Sequence, residues 1–345
     1  MAEAPKIVVQ YPWAELPAPG ASIEVMPGIH WVRLPLPFVL DHINVFLLED
    51  GDGWTVIDTG LNREEVKDIW QQVFAGVCQG RPISRVIVTH FHPDHMGLGG
   101  WFAEHWQTDL WMSTAEWLWS HYAFRAREKE MDAMLDFWRR NGLSRETIDD
   151  MRGRGHFYPT NVTRPPVRYR RMIEGDVIEI NGLPWQVIVG RGHAPEHICL
   201  YCEPLAVLLA GDQVLPRITT NVSVQFHEPD GDPLRLFLAS THLFAHCDPE
   251  TLVLCSHDRP FRRLHERLAQ LREHHEVRLD DAAAACVRPS TPVDLMPVLF
   301  KRPLNLHQQS FAIGEAVAHC HRLLYEGRVD RVLGPDGRYR FIRTE

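Results

Sequence analysis

The chain has 345 residues, enough for one large domain and a smaller one. With 45% hydrophobic and 23% charged residues its composition is that of an ordinary globular protein, which excludes disordered, collagenous and fibrous classes. A formal net charge of -9 argues against a polyanion binder over the whole length, while seven scattered cysteines and the lack of any leader pattern or 18-residue apolar run give the expectation of a cytoplasmic protein without membrane contact.

Residues 22–58 alternate apolar runs with turn signals at Pro27-Gly28 and Asp50-Gly51-Asp52-Gly53, which predicts a β-meander with a hairpin turn. Behind Asn62, the residues Val66, Ile69, Trp70, Val73 and Val77 recur at helical spacing. They predict a helix over 62–78 capped by that asparagine. The β-branched run 85–89 reads as a strand and 100–106 as a helix. Two or three helices are expected over 113–152, then strands at 176–180, 184–189, 197–202 and 205–210. A helix over 233–246, a strand over 251–255 and a helix over 261–275 follow. Near residue 277 the character changes, because residues 261–345 carry 14 Lys and Arg against 11 Asp and Glu, leaving a net of -12 on residues 1–260. Helices at 291–299 and 305–326, with a hairpin turning at Gly334-Pro335-Asp336-Gly337, suggest a winged-helix-like module over 278–345. Cutting the chain after about residue 278 would then leave every ligand candidate in place.

The strongest chemical signal is His90-Phe91-His92-Pro93-Asp94-His95. His90 and His92 stand two apart at a predicted strand end, where extended backbone projects both imidazoles to one side, as a shared ion requires. Pro93 forces a turn that can carry Asp94 and His95 toward a second ion, and Gly97 lets the chain enter the next helix. Imidazole combined with carboxylate suits zinc first, with iron or manganese also compatible. Cys199 and Cys202 lie three apart in a strand and face opposite sides, so they form no metal or redox pair.

Taken with Asp58-Thr59-Gly60, Gly192-His193-Ala194-Pro195, Ala210-Gly211-Asp212 and Ser256-His257, the HFHPDH run resembles the metallo-β-lactamase superfamily in order and spacing up to about residue 260. The resemblance implies an α/β fold, a four-layer αββα sandwich over 20–277 with a helical insertion at about 113–165, followed by the small α+β C-terminal module. It implies that His90, His92 and His193 hold one metal, that Asp94, His95 and His257 hold the other, and that Asp212 bridges both. Asp58 is expected to orient ligands from behind. His197, just beyond His193, is read as a supporting residue or an ordinary satisfied histidine. Family β-lactamases usually lack the bridging aspartate, so Asp212 points to the glyoxalase II-like, lactonase and nuclease branches. His92 stands where the flavodiiron branch carries an acid, and the tail does not match a glutathione-binding pattern.

Two divalent ions can share a hydroxide nucleophile and polarise the scissile bond, with Asp94 and Asp212 orienting the hydroxide and Asp94 relaying its proton. The expected activity is hydrolysis of an ester, thioester or lactone in a small, apolar substrate. Six of the eleven tryptophans fall between 101 and 138, and Trp117, Trp119 and Tyr122 are candidates for an apolar pocket wall in an insertion overhanging the site. Core packing is the competing account of these rings. Two alternatives are a nuclease or phosphodiesterase, prompted by the +3 tail, and a non-catalytic metal-domain scaffold whose tail binds a partner. A homodimer is left open.

Overall fold

In the computed structural model, which describes residues 8–153, 155–301 and 303–344, two sheets face each other. The first holds seven strands in sequence order: β1 (Ile23–Met26), β2 (Ile29–Pro35), β3 (His42–Asp50), β4 (Gly53–Ile57), β5 (Ile83–Ile87), β6 (Leu110–Met112) and β7 (Tyr169–Arg171). The meander β1–β4 is antiparallel, and β4 to β7 pair in parallel. The second sheet contains β8 (Val177–Ile180), β9 (Leu183–Gly190), β10 (His197–Cys202), β11 (Val207–Gly211) and β12 (Leu252–Cys255), in the order β12-β11-β10-β9-β8.

Alternation along the strands decides the layers. In β3, Phe46 and Leu48 point between the sheets, where they meet Trp31, Ile57, Trp185, Val189, Leu200 and Leu254. On the opposite face Ile43, Val45 and Leu47 pack with helix α1 (Glu64–Ala75) through Trp70 and Val73. After β5 come the short α2 (Pro93–Met96) and then α3 (Gly99–Trp106), whose Phe102 joins the same layer. The insertion between β6 and β7 consists of α4 (Thr114–Arg125), α5 (Glu128–Arg140), α6 (Arg145–Gly153) and α7 (Phe157–Asn161). Outside the second sheet lie α8 (Pro233–Ser240), α9 (Leu264–Ala285), α10 (Pro292–Leu299) and α11 (Leu306–Tyr325), closed by the hairpin β13 (Val329–Leu333) and β14 (Tyr339–Arg343). The result is the mixed α/β four-layer arrangement, with two facing sheets, flanking helices and a small C-terminal helix and hairpin unit.

Several local expectations are corrected. Helix α1 starts behind Arg63, and the amide of Asn62 donates to the Asn161 carbonyl at 2.8 Å, so Asn62 is tied to α7 instead of capping α1. Strand β5 ends at Ile87, which places His90 and His92 in the following loop and not on extended strand. Glu203–Leu205 forms a 3-10 turn that delays β11 to Val207, and α8 stops at Ser240. Helix α9 runs unbroken through residue 277, because Leu268, Leu271, Leu279 and Ala282 keep one face buried. That face shares a single apolar cluster with Val253 and Cys255 of β12 and with Ala316, Val317, Leu323 and Phe341 of the tail. No linker separates the tail, and a cut after residue 278 would pass through a packed helix. Cys199 and Cys202 do face opposite layers, and all seven cysteines are free and buried. No helix among the described residues is long and apolar enough to cross a membrane.

Candidate metal centre

The centre forms at one end of the sandwich, where loops leave strands of both sheets. The loop after β5 supplies His90 and His92, and the short α2 that follows supplies Asp94 and His95; the loop after β9 supplies His193; Asp212 follows β11 and His257 follows β12. Gly97 is required for this turn, since a Cβ there would meet the Gly60 carbonyl. The structure brings all seven side chains together in two trios. His90 Nε2 lies 2.8 Å from His92 Nδ1 and 3.1 Å from His193 Nε2. His257 Nε2 lies 3.5 Å from Asp94 Oδ2, and His95 Nε2 lies 3.6 Å from the same oxygen. Asp212 sits between the trios, with Oδ2 at 3.4 Å from His193 Nε2 and 3.6 Å from His95 Nε2, and with Oδ1 at 3.3 Å from His257 Nε2.

The surrounding hydrogen bonds set which imidazole nitrogens carry protons. His95 Nδ1 donates to Asp58 Oδ2 at 2.7 Å, His193 Nδ1 to the Asn221 carbonyl at 2.7 Å, and His257 Nδ1 to the His42 carbonyl at 2.9 Å. The hydroxyl of Thr89 donates to Asp58, leaving its lone pair for His90 Nδ1 at 3.0 Å. With Nδ1 so committed, His95, His193 and His257 turn Nε2 inward toward Asp94 and Asp212, the atom at which a cation would take the place of a proton. His95 Nε2 and Asp212 Oδ1 are buried with no hydrogen-bond partner. Imidazole nitrogens and carboxylate oxygens converging in a buried site fit cations. Three groups, His90/His92/His193, His90/His95/Asp212 and Asp94/His95/His257, each bring their ligand atoms within 4.8 Å of one another.

Electrostatics follow the same division. Burial and then the neighbouring imidazoles hold His90 and His92 well below the ordinary histidine range, which favours the neutral, ligating form. Burial also opposes charge on His95, but Asp58, Asp94 and Asp212 outweigh it and hold that ring well above its ordinary range. Burial would raise Asp212, yet His257 and His95 pull it well below the usual carboxylate range. Asp94 is the more open carboxylate, with its side chain 20% exposed, against 10% for Asp212.

Supporting residues lie immediately behind. Asp58, at φ 61°, accepts the Thr89 amide at 2.8 Å as well as the His95 proton. His197 is fully buried, stacks on His90 with centroids 4.7 Å apart, and accepts the Asp212 amide on Nε2 at 3.0 Å. Gly211, at φ 52°, keeps this packing possible because a Cβ there would strike the His197 ring.

Other contributors are not legible in the motifs. Buried Glu116, on α4, accepts the Phe91 amide at 2.9 Å and the Glu196 amide at 2.7 Å, tying the loops of His92 and His193 together. Burial pushes its carboxyl up to about 7. Ser113-x-x-Glu116 has the spacing of a capping box, and this pattern hides the long-range role. Asn44 donates to the Cys255 and Asp258 carbonyls at 2.9 and 3.0 Å and so braces the His257 loop; its only signal is an amide inside an apolar strand.

The aromatic candidates divide. Trp117 stacks on Tyr169 at 4.6 Å and donates to the Pro166 carbonyl, which commits it to packing. Trp119 lies 6.2 Å from Phe91, 5.0 Å from Tyr122 and 3.9 Å from His227, and Phe91 in turn lies 4.8 Å from His92. Tyr122 is exposed. Trp101 and Trp106 pack outside the first sheet, Trp111 packs between the sheets, and Trp138 belongs to the tail-side core, so the tryptophan-rich segment serves three separate cores.

Comparison with known proteins agrees with this geometry. The family model described as the Metallo-beta-lactamase superfamily matches residues 39–257, and one described as the Metallo-beta-lactamase-like, C-terminal domain matches residues 279–344. A beta-lactamase domain protein from Burkholderia ambifaria is similar at 42% identity and a TM-score of 0.91, over 97% of this chain and 98% of that one. A metallo-beta-lactamase family protein from Thermus thermophilus is similar at 28% identity and a TM-score of 0.79, over 93% and 100% of the respective chains. The Probable metallo-hydrolase YqjP of Bacillus subtilis (strain 168) is 27% identical over 80% of this chain and 87% of its own.

Proposed function

The chain belongs to the metallo-β-lactamase superfamily, and from that premise we propose that it is a dinuclear metal-dependent hydrolase cleaving an ester, thioester or lactone bond in a small apolar substrate. The observation that carries the reading is the position of Asp212, whose two oxygens address His193 on one side and His257 on the other. In this reading His90, His92 and His193 hold one ion, and Asp94, His95 and His257 hold the second. Zinc suits the mixed donors, with iron and manganese compatible. When bound, the ions supply water activated near neutral pH and a Lewis acid for the scissile bond.

The protein's own groups do the rest. Asp58, Asn221 and the His42 carbonyl fix the imidazole tautomers. Asp94, the more open carboxylate, turns Oδ2 toward His95 and His257 and is placed to relay a proton to the leaving group through its other oxygen. Phe91, Trp119, Tyr122 and His227 offer an apolar wall beside His92, which supports an apolar acyl or aromatic substrate. The bridging aspartate supports a reading beside the glyoxalase II-like, lactonase and nuclease branches, as opposed to the β-lactamases themselves. The tail's helices and hairpin support a winged-helix-like reading, but Arg322, Arg328, Arg331 and Arg340 are paired with Asp232, Asp280, Asp230 and Asp336. Such pairing leaves few cations for a phosphate backbone and favours the small substrate.

The test is turnover by zinc-loaded protein on an ester, thioester, lactone and phosphodiester panel, with single-stranded RNA alongside. Acyl turnover lost in Asp212→Ala supports the reading. RNA cleavage that is lost in Asp94→Ala and falls with salt, without acyl turnover, contradicts it.

A further inference from the structure

His193 is held from behind by a segment that is itself fastened to the C-terminal helices. Its Nδ1 proton goes to the Asn221 carbonyl, which keeps Nε2 bare and fixes the ring plane. The side chain of Asn221 is tied in turn: Nδ2 donates to Glu315 Oε2 at 3.3 Å, and Oδ1 accepts the Ser223 hydroxyl at 2.8 Å. Glu315 lies on α11 and is only 9% exposed. Burial pushes its carboxyl up to about 7, so a carboxyl here costs folding energy that an apolar side chain of the same size would not.

The rest of the 212–224 segment is clamped in the same way. The Thr220 hydroxyl donates to the Asp212 carbonyl at 2.5 Å, and the Val224 amide donates to the Gly314 carbonyl at 3.1 Å. Gly314 admits this approach because a Cβ there would lie 2.7 Å from Ser223. From α9, Arg267 donates to the Leu215 and Ile218 carbonyls, each at 2.7 Å. One loop therefore carries Asp212 at its start and the acceptor for His193 near its end, with α9 gripping it at Leu215 and Ile218 and α11 at Asn221 and Val224.

We propose that Glu315 is a positioning residue of the metal centre, acting through Asn221 on the orientation of His193, so that α11 is a working part of the site. The inference rests on His193 being a metal ligand. It assigns the C-terminal helix a function that folding alone does not require.

The test is cobalt or zinc titration of the full-length chain against a competing chelator, with melting temperature measured in parallel. Glu315→Leu is expected to weaken one of two bound ions by about tenfold and to leave the other unchanged. Glu315→Gln, whose amide oxygen still accepts from Asn221, retains near wild-type affinity. Combining Glu315→Leu with His193→Ala adds no further loss, because the two act on one ligand. Leu323→Ala, buried on the same helix away from Asn221, lowers the melting temperature and leaves both affinities unchanged. Should Glu315→Leu not fold, Asn221→Ala gives the same readout. Unchanged affinities in Glu315→Leu or Asn221→Ala, an equal loss in Leu323→Ala, or no retention in Glu315→Gln would overturn the inference. A wild-type chain that binds no ion contradicts the hydrolase reading itself, which separates the two failures.

Discussion

Glu116 accepts the amide of Phe91 at 2.9 Å, so a carboxylate from the inserted helices holds the residue lying between His90 and His92. Its second oxygen holds the Glu196 amide, three residues beyond His193. Glu116→Ala leaves two partly buried donors without acceptors. We expect a stability loss on the order of 3 kcal/mol, because each unsatisfied buried amide costs about 1–3 kcal/mol. Metal affinity at the His90, His92 and His193 trio should fall with it. Urea unfolding and metal titration check both, and a variant with wild-type stability and affinity would contradict the role.

Trp117 and Trp119 separate packing from substrate contact. Trp119→Ala should raise KM for long or aromatic acyl substrates by about fivefold relative to acetyl ones, the value of about 1 kcal/mol of aromatic contact. Trp117→Ala removes the Tyr169 stack and the Pro166 hydrogen bond, and should destabilise by about 2 kcal/mol with KM ratios unchanged. The two variants behaving alike in the KM ratio would contradict the division.

Removal of residues 279–345 exposes the face of α9 formed by Leu264, Leu268 and Leu271, and takes away its partners Ala316, Val317 and Leu323. The shortened chain is expected to lack a cooperative unfolding transition and to bind no metal stoichiometrically. A cooperative melt with full metal content would show instead that the tail is an independent unit.

His275 and His319 face each other between α9 and α11, with centroids 5.5 Å apart. Burial, then the neighbouring imidazoles, pushes His275 down to about 2, and burial, against a hydrogen bond to the Glu315 carbonyl, pushes His319 down to about 4, whereas an unfolded histidine titrates at about 6.5. Below about pH 6.5 the unfolded chain therefore binds more protons than the folded one, and stability falls as pH is lowered, by up to about 1.4 kcal/mol per pH unit for each histidine. Urea unfolding of the metal-free chain at about pH 6.5 and about pH 5.5, on either side of where the unfolded ring takes up its proton, should show a smaller acid loss in His275→Leu than in wild type. Equal losses would contradict neutral burial of His275.

What the sequence reveals is local. The HFHPDH run is dense in donors over six residues, and the resemblance to the metallo-β-lactamase superfamily adds His193, Asp212 and His257, each just behind a predicted strand, so the seven candidates can be named without sight of their convergence. Glu116 and Asn221 cannot be, because Glu116 works on amides 25 and 80 positions away and Asn221 offers His193 a backbone carbonyl. The continuation of α9 is hidden because His274-His275-Glu276 breaks the apolar pattern, while His275 is in fact buried and Leu279 and Ala282 resume the stripe. The density of tryptophans between 101 and 138 suggests a pocket, but density does not assign faces, and the rings go to three cores.

The central claim is that two ions are held on either side of Asp212. Elemental analysis of the full-length chain, saturated with zinc and freed of loosely bound metal, measures it most directly. The account predicts close to two ions per chain, falling to about one in both His90→Ala and His257→Ala, with the two variants losing different sites in a cobalt titration. A wild-type chain that holds a single ion at saturation, or loss of the same site in both variants, would contradict it.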